Sequence, residues 1–241
     1  MSDNNSIVRD IKNIIDNTAK TYEIDGNTYT NSPLQIVRHK DTANTLHFND
    51  LSSIVPILKN ELKQFELPIY IVVDDYNNVK VVTSLDGEKD RETPYNVTCC
   101  NSPFRFGNMY DYEDFVIALR SMFVQNAESE DLLKLLKTIT NSNSVEVEDD
   151  GITQKVTASK GVLTANATKA APIRRLAPYR TFTEIEQPTS EFLFRIRNNN
   201  TFSLFEADGG AWKRQAIENI KAFYASAFEE EIADGQIIIV G

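Results

Sequence analysis

Apolar residues recur at helical spacing in five segments of this chain, and we predict an amphipathic helix for each segment. Side chains suited to N-caps mark three of the starts: Ser6 for the first helix, Asp111 for the third and Ser129 for the fourth. Pro56 lies within the second predicted helix, where its ring is unfavourable. The predicted helices are residues 7–15, 49–62, 112–123, 128–140 and 211–231.

Other segments alternate with a period of two and are bounded by turn residues, which predicts β-strands and hairpins. Asp25-Gly26 and Asp149-Asp150-Gly151 are typical turn sequences. Together with the helices, these strands predict an α+β fold in which antiparallel β-hairpins or a sheet pack against amphipathic helices. The predicted strands are residues 69–73 and 79–83, 93–100, 145–148 and 152–158, 191–197 and 201–206, and 236–240.

The chain of 241 residues is long enough for one large domain or two small ones. The stretch from Thr164 to Ala171 has no large apolar residue and is the best candidate for a linker. We therefore predict an N-terminal α+β region, residues 1–165, and a C-terminal region, residues 166–241. The second region contains a basic arm, a β-hairpin and the closing helix. One continuous domain is the alternative.

The net charge of −10 disfavours binding to duplex DNA or to an anionic membrane, because both need a broad basic surface. Residues 1–20 have no apolar core of the signal-peptide type, and no window of 18 residues is apolar throughout. The only cysteines, Cys99 and Cys100, are adjacent, and neighbouring cysteines seldom form a disulfide. These observations predict a reduced protein of the cytosol.

The chain has no sequence motif of a known catalytic or cofactor-binding site. Its only histidines are His39 and His47, and we expect His47 to be a structural residue at a strand edge. The acidic stretch from Glu146 to Asp150 lacks the spacing of a calcium loop and indicates a solvated hairpin end. We therefore predict no catalytic residues, no metal and no cofactor. Asp208-Gly209-Gly210 indicates a helix start, or alternatively a backbone site for an anion.

The most unusual segment is residues 169–197, here called the basic strip, which carries six basic and three acidic residues in an otherwise acidic chain. Guanidinium groups beside aromatic rings suit phosphate, carboxylate or nucleobase recognition. Strand alternation places Arg195 and Arg197 on one face and directs Phe192, Phe194 and Ile196 to the core. Ordinary surface pairing with acids is the alternative. The predicted ligand-binding residues are Arg174, Arg175, Tyr179, Arg180, Phe182, Arg195 and Arg197.

Two runs of the chain resemble an uncharacterised family of tailed-phage and prophage proteins: PYRTFTEIEQP at residues 178–188 and LFEADGGAWK at residues 204–213, with Phe194-Arg195 between them. The order of helices and hairpins also resembles the broader YfdQ-like group of unknown function. The specific match covers residues 170–225, whereas residues 1–100 agree only in general layout. The family has no established catalytic residues to transfer. The resemblance implies a phage or prophage origin and expression in the cytoplasm of a bacterial host.

A phage origin and the absence of catalytic motifs predict a non-enzymatic binding protein that counters host defence by sequestering a nucleotide-derived immune signal. Arginines would hold its phosphates and aromatic rings its base, in a pocket between protomers of a homo-oligomer. The alternative is an accessory protein of phage recombination or replication that acts through protein contacts or single-stranded DNA. An enzyme that degrades a nucleotide is the third possibility.

Overall fold

The computed structural model describes most of the chain and divides it into two compact units, Met1–Thr42 and Ala43–Gly241. In the first unit, β1 (Thr21–Ile24) pairs antiparallel with β2 (Asn27–Thr30). The predicted helix at residues 7–15, the turn at Asp25-Gly26 and His39 lie outside the described residues. The described residues are 21–24, 27–30, 43–87, 89–140, 144–149, 154–160, 163–164, 168–170, 173–197 and 200–241.

The second unit contains both helices and sheets, which confirms the predicted α+β class. Its described helices are α1 (Ile54–Glu61), α2 (Tyr112–Ser121), α3 (Ala127–Thr140), α4 (Trp212–Ala227) and α5 (Glu229–Ala233). Its described strands are β3 (Leu46–Phe48), β4 (Ile69–Asp75), β5 (Asn78–Val82), β6 (Tyr95–Thr98), β7 (Ser144–Asp149), β8 (Gln154–Lys160), β9 (Leu163–Thr164), β10 (Thr168–Ala170), β11 (Ile173–Leu176), β12 (Ser190–Arg197), β13 (Thr201–Glu206) and β14 (Ile237–Val240).

A five-stranded sheet in the order β14-β4-β5-β6-β3 carries the first hydrophobic core. The predicted hairpin of β4 and β5 is confirmed, and β6 continues it antiparallel. The two outermost strands run parallel to their neighbours, so this sheet is mixed rather than purely antiparallel. Ile69, Ile71 and Val73 point to one face of β4 and are buried, as the period of a strand requires. Residues of α1 and α4 pack against that face.

A second core lies between α2, α3 and a three-stranded antiparallel sheet of β11, β12 and β13. The predicted hairpin of β12 and β13 is confirmed, and Phe192, Phe194 and Ile196 are buried in this core as strand alternation predicted. Aromatic rings fill much of it: the Phe115 ring centroid lies 6.0 Å from that of Phe194 and 5.8 Å from that of Phe202. Such pairs stabilise a core beyond the area that they bury.

The chain crosses between these cores several times, so the compact units do not divide at the predicted boundary of residues 165 and 166. The first core contains Ile71 and Ile220, and the second contains Phe115 and Phe194. Each core thus draws residues from both sides of that boundary, and residues 43–241 form one unit. The predicted hairpin of β7 and β8 belongs to a separate sheet, in the order β10-β8-β7 with β9 paired to β8.

Three helix ends differ from the pattern-based prediction for local reasons. The N-cap of α3 is Asn126, because its Oδ1 accepts the Ser129 N–H at 2.8 Å while the Ser129 Oγ accepts the Asn126 N–H at 2.9 Å. The prediction that Ser129 caps this helix is therefore wrong. Helix α1 begins only at Ile54, which leaves Pro56 in the first turn, where no N–H is needed. The last predicted helix is interrupted at Phe228, where the backbone leaves the helical region (φ −121°, ψ 33°).

Candidate functional site

Arg180 lies in the segment of residues 177–189 that joins β11 to β12, and its side chain is buried among aromatic rings. Its Cζ lies 3.9 Å from the centroid of the Trp212 ring and 5.4 Å from that of the Phe192 ring. Only 3% of the side chain is exposed. A guanidinium over an aromatic face is attracted by the ring quadrupole, most strongly where water is excluded. Arg180 therefore points into the protein and not into solvent.

The polar atoms of Arg180 also bind within the protein. Its Nη1 donates to the Oε1 of Glu206 at 2.8 Å, and its Nη2 donates to the Oγ of Ser190 at 2.5 Å. Burial lowers the pKa of Arg180, although the Glu206 carboxylate acts in the opposite direction. Among the described residues, the buried Nε of Arg180 has no hydrogen-bond partner. The guanidinium thus remains the cation of a largely internal ion pair.

These contacts join the two cores, and we call Arg180, Ser190, Phe192, Glu206 and Trp212 the arginine joint. Trp212 is the first residue of α4, a helix whose Ile220 and Tyr224 belong to the first core. Phe192 belongs to the second core. Arg180 contacts both aromatic rings at once, so it bridges the two halves of the unit.

The rest of the joining segment also binds neighbouring backbone. Gln187 accepts the N–H of Arg180 at 3.2 Å and donates to the carbonyl of Phe182 at 2.7 Å. The Glu184 carboxylate accepts two backbone N–H groups just before α1, from Leu51 at 2.5 Å and Ser52 at 2.9 Å. A carboxylate near the start of a helix also favours its dipole. The run PYRTFTEIEQP therefore forms a scaffold between elements.

The start of α4 is occupied by the protein's own carboxylate. Asp208 Oδ1 accepts the Gly210 N–H at 3.1 Å, and the same carboxylate also accepts from Ser190 and from the backbone of Trp212. Partial burial acts to raise the pKa of Asp208, but these hydrogen bonds and the Arg180 cation hold it below its ordinary value. Gly210 has φ +83°, a conformation that L side chains rarely adopt. The structure thus shows a helix start with Asp208 beside it, the first of the two alternatives predicted for this sequence.

The other predicted ligand residues occupy three different environments. Arg174 is 13% exposed and lies 3.8 Å from Glu128 of α3, with its Nη1 toward that carboxylate. Tyr179 is half-buried and donates its backbone N–H to the carbonyl of Met122 at 2.9 Å. Arg175 and Arg197 are exposed, and Arg195 is half-buried with contacts of its own inside the chain. The basic strip is thus divided between interior and surface.

Strand pairing places Arg175, Arg195 and Arg197 on the same side of the three-stranded sheet, opposite its core. Arg175 faces Glu191 across the sheet, and Arg195 faces Ser203. Between them lies an apolar row across the three strands, formed by Ile173, Leu193 and Phe205. We call this surface, with the three arginines and the apolar row, the outer sheet face. Arg195 and Arg197 therefore lie on one common face, which confirms that prediction.

The outer sheet face is open at the apolar row and covered near its centre. Ile173 is 50% exposed and Phe205 is 37% exposed, which is high for large apolar side chains. Ser203 is fully buried, however, and Arg195 beside it is only partly exposed. The part of the surface that a ligand can reach therefore comprises the apolar row, Arg175 and Arg197.

Three residues of the predicted ligand set face inward and need correction. Phe182 is 2% exposed in the first core, because its ring packs beside residues of the five-stranded sheet and α4. Arg180 is enclosed by the arginine joint, and Arg174 lies on the inner side of β11, opposite Phe192. Contact with a ligand would require these side chains to leave their present partners. We therefore remove all three from the ligand set.

Several residues of this region were not identified from the sequence. Phe205 follows the buried Leu204, so the period of β13 could have placed it on the outer face, although its position beside Leu193 and Ile173 needs the strand register. Glu206 and Trp212 had no such signal, since their contact with Arg180 depends on the relative placement of α4 and β13. Long-range packing of that kind is not encoded in local spacing.

Comparisons of the chain with protein-family models, with curated proteins and with solved structures found no match. The resemblance to phage proteins therefore stays a prediction. In the described part of the chain, no cluster of three or more His, Cys, Asp or Glu side chains could hold a metal ion. None of the described helices is both long enough and apolar enough to cross a membrane.

Proposed function

We propose that this chain is a non-enzymatic binding protein whose outer sheet face binds an anionic, nucleotide-like ligand. The observation that supports the proposal is the placement of Arg175 and Arg197 on the same face as the exposed Ile173 and Phe205. A guanidinium can hold a phosphate through paired hydrogen bonds, and an exposed aromatic ring offers a face to a base. The proposed site therefore uses only the exposed arginines of the strip on β11 and β12, together with Phe205 of β13.

A compact ligand would use Arg175 and the apolar row. Arg175 and Ile173 are two positions apart on β11, so their side chains emerge on one face about 6–7 Å from each other. The register places Phe205 beyond Leu193 in the same row as Ile173. A base resting on this row would keep its phosphate within reach of the long Arg175 side chain.

Glu191 limits the attraction at this position, because it is exposed and lies directly opposite Arg175. A carboxylate beside the cation repels a phosphate and competes for the guanidinium. Glu191→Gln removes that charge while it keeps the size of the side chain. We expect this variant to bind an anionic ligand several-fold more tightly than the unaltered chain, as removal of one like charge near the surface would produce.

One observation favours the second candidate function, binding of single-stranded nucleic acid. Arg197 lies six residues along β12 from Glu191, the partner of Arg175, so the two exposed arginines are about 20 Å apart along the sheet. That separation suits an extended chain of several nucleotides better than a compact dinucleotide. Stacking on Phe205 would again contribute, because every base has a face that an aromatic ring can pack against.

The biological role that we propose is sequestration of a nucleotide-derived immune signal of a bacterial host. It follows from the resemblance to phage proteins and from the lack of a catalytic motif in the sequence. A sponge of this kind needs affinity and no chemistry, so Arg175 and Phe205 suffice as its central contacts. A role in phage recombination or replication would need the whole length from Arg175 to Arg197.

Isothermal titration calorimetry and native mass spectrometry test the proposal with two kinds of probe. One set contains cyclic dinucleotides and cyclic ADP-ribose isomers, and the other contains short single-stranded oligonucleotides. The variants are Arg175→Glu, Phe205→Ala and Arg197→Glu. Arg120→Glu, on the exposed side of α2, is the matched control for charge reversal.

Binding of a small nucleotide that Arg175→Glu and Phe205→Ala abolish, and that Arg197→Glu and Arg120→Glu leave unchanged, supports the sponge. Salt-sensitive binding of oligonucleotides alone, weakened at both arginines, supports the second candidate. Recovery of a hydrolysed nucleotide would identify an enzyme. Binding that survives both Arg175→Glu and Phe205→Ala would refute the outer sheet face as the site.

A further inference from the structure

Strand β14 lies at one end of the five-stranded sheet and has the sequence Ile-Ile-Ile-Val. Among the described residues, no strand pairs with its outer edge, since β4 is its only partner. Edge strands in proteins are usually protected by charge, proline or a bulge, because their unpaired backbone groups can bind another strand. None of these devices is present between Ile237 and Val240.

The hydrogen bonding of β14 determines which of its backbone groups face outward. The Ile69 N–H donates to the Gln236 carbonyl at 3.0 Å, so residue 236 faces β4. Residues of a strand direct their N–H and C=O groups alternately to opposite sides. Residues 238 and 240 therefore face β4 as well, while Ile237 and Ile239 direct their backbone groups to the open edge.

The side chains at this edge continue an apolar surface on the face of the sheet opposite the first core. Ile238 is 40% exposed and Val240 is 36% exposed. The register places them beside Tyr70 and Val72 of β4, which are half-buried. An open backbone edge thus adjoins an exposed apolar surface.

We propose that β14 pairs antiparallel with β14 of a second copy of this chain, about a twofold axis at Ile239. In this register, Ile239 lies opposite its own copy and residue 237 lies opposite residue 241. Ile239 directs its backbone groups outward, so it forms a hydrogen-bonded pair of an antiparallel ladder with Ile239 of the copy. Ile238 then lies opposite Val240 of the copy, and the two sheets form one continuous sheet of ten strands.

The side chains of β14 favour a second copy of the same strand as the partner. An open edge accepts an extended chain, and the residues that emerge beside it require apolar side chains at alternate positions. Ile238 and Val240 supply that pattern to each other under twofold symmetry, and each covers the exposed surface of the other. No side chain of β14 carries a charge that would select a different, charged partner or repel its own copy. Self-pairing is isologous, so it closes as a dimer.

Sedimentation velocity over a dilution series of the full-length chain tests the dimer. We expect a reversible dimer in the unaltered chain and its loss in the variant Ile238→Lys/Val240→Lys, because like charges would then meet across the new pair. Thr98→Lys is the matched control: Thr98 is exposed on β6, away from the β14 edge, and should leave the dimer intact. An unaltered chain that remains monomeric at every concentration, or a dimer that survives the double lysine variant, would overturn the proposal.

Cysteine pairs test the register in a chain that lacks Cys99 and Cys100 through substitution by serine. Opposed residues without hydrogen bonds in an antiparallel ladder have Cα atoms about 4.5 Å apart, within the range that a disulfide spans. The variant Ile238→Cys/Val240→Cys should therefore form a covalent dimer on mild oxidation, whereas each single cysteine variant should not. Cross-linking of Ile238→Cys alone would place the axis at residue 238 and overturn the register. Circular dichroism melts should show that the variants fold.

Discussion

Replacement of Arg180 tests whether the basic strip serves the fold at this position or a ligand. If Arg180 were a surface ligand residue, Arg180→Ala would change affinity and leave the stability nearly unaltered. The structure predicts the reverse, because the guanidinium is almost fully buried between Trp212 and Phe192 and binds Glu206 and Ser190. We expect a large loss of stability.

The size of the loss follows from two favourable contributions and two that offset them. Hydrogen bonds that involve a charged group contribute about 1.5–3 kcal/mol each, and a desolvated cation–aromatic contact contributes about 2 kcal/mol. The cost of burying the guanidinium, whose Nε finds no partner among the described residues, offsets part of this gain. Glu206 is 42% exposed and would regain water when Arg180 is removed, which limits the penalty for its lost partner. A net destabilisation of about 3 kcal/mol results, within the range for broken buried pairs.

Urea unfolding followed by tryptophan fluorescence measures this loss, since Trp212 is the only tryptophan of the chain and contacts Arg180 directly. The expected change lowers the midpoint of thermal unfolding by about 6–12 °C for a domain of this size. Arg180→Met retains an apolar chain against Trp212 and should recover part of the loss, which separates packing from charge. Arg175→Ala, at an exposed position of the same strip, is the control and should stay within about 0.5 kcal/mol of the unaltered chain.

A destabilisation of less than about 0.5 kcal/mol for Arg180→Ala, combined with loss of ligand binding, would refute this reasoning. Loss of stability with unaltered binding would instead confirm that Arg180 belongs to the scaffold.

Three further substitutions test the local geometry by urea unfolding. Asp208→Asn should destabilise the chain at neutral pH by an amount that shrinks below about pH 4. The folded-state pKa of Asp208 is lowered, so its contribution to stability is present above the unfolded-state pKa and disappears as the pH falls through the folded-state pKa. A destabilisation that does not change with pH would contradict this. Asn126→Ala should lower the free energy of unfolding by about 1 kcal/mol, because it removes the N-cap side chain that accepts the Ser129 N–H. An unaltered midpoint of urea unfolding would argue against that cap. Glu184→Gln should cost about 1 kcal/mol through weaker acceptance of two N–H groups before α1, whereas equal stability would show that the charge is unimportant there.

The elements of this fold could largely be predicted from the sequence, because their signals are local. The hairpin of β4 and β5 alternates buried and half-buried residues with a turn between its strands, and the stripe of α2 begins after the predicted cap Asp111. The assembly of these elements could not be predicted. Nothing local indicates that β14 pairs parallel with β4, or that β3 joins the opposite edge, since both contacts close long loops. The same limit explains why the sequence left open both a boundary near residue 165 and one continuous domain, although each core draws residues from both sides of that position.

The candidate site shows the same division between local and long-range information. Alternation correctly placed Phe192 in the core and Arg195 with Arg197 on the opposite face. The interior position of Arg180 depends on Trp212 and Glu206, which are distant in sequence. A count of charges along the strip could not reveal this arrangement, because it treats every arginine alike.

The pairing of arginine with aromatic residues is therefore an ambiguous signal in a sequence, since it indicates either a ligand site or an internal joint. The acceptors within reach of each guanidinium distinguish the two. The two terminal nitrogens of Arg180 donate hydrogen bonds to Glu206 and Ser190, so they are already engaged within the fold. Arg175 has only the exposed Glu191 opposite it, and it extends from an exposed strand face beside the apolar row of Ile173 and Phe205, where a phosphate-bearing ligand could reach it. The scaffold role of Arg180 and the proposed ligand role of Arg175 are thus separable, and substitution of one should leave the property of the other unchanged.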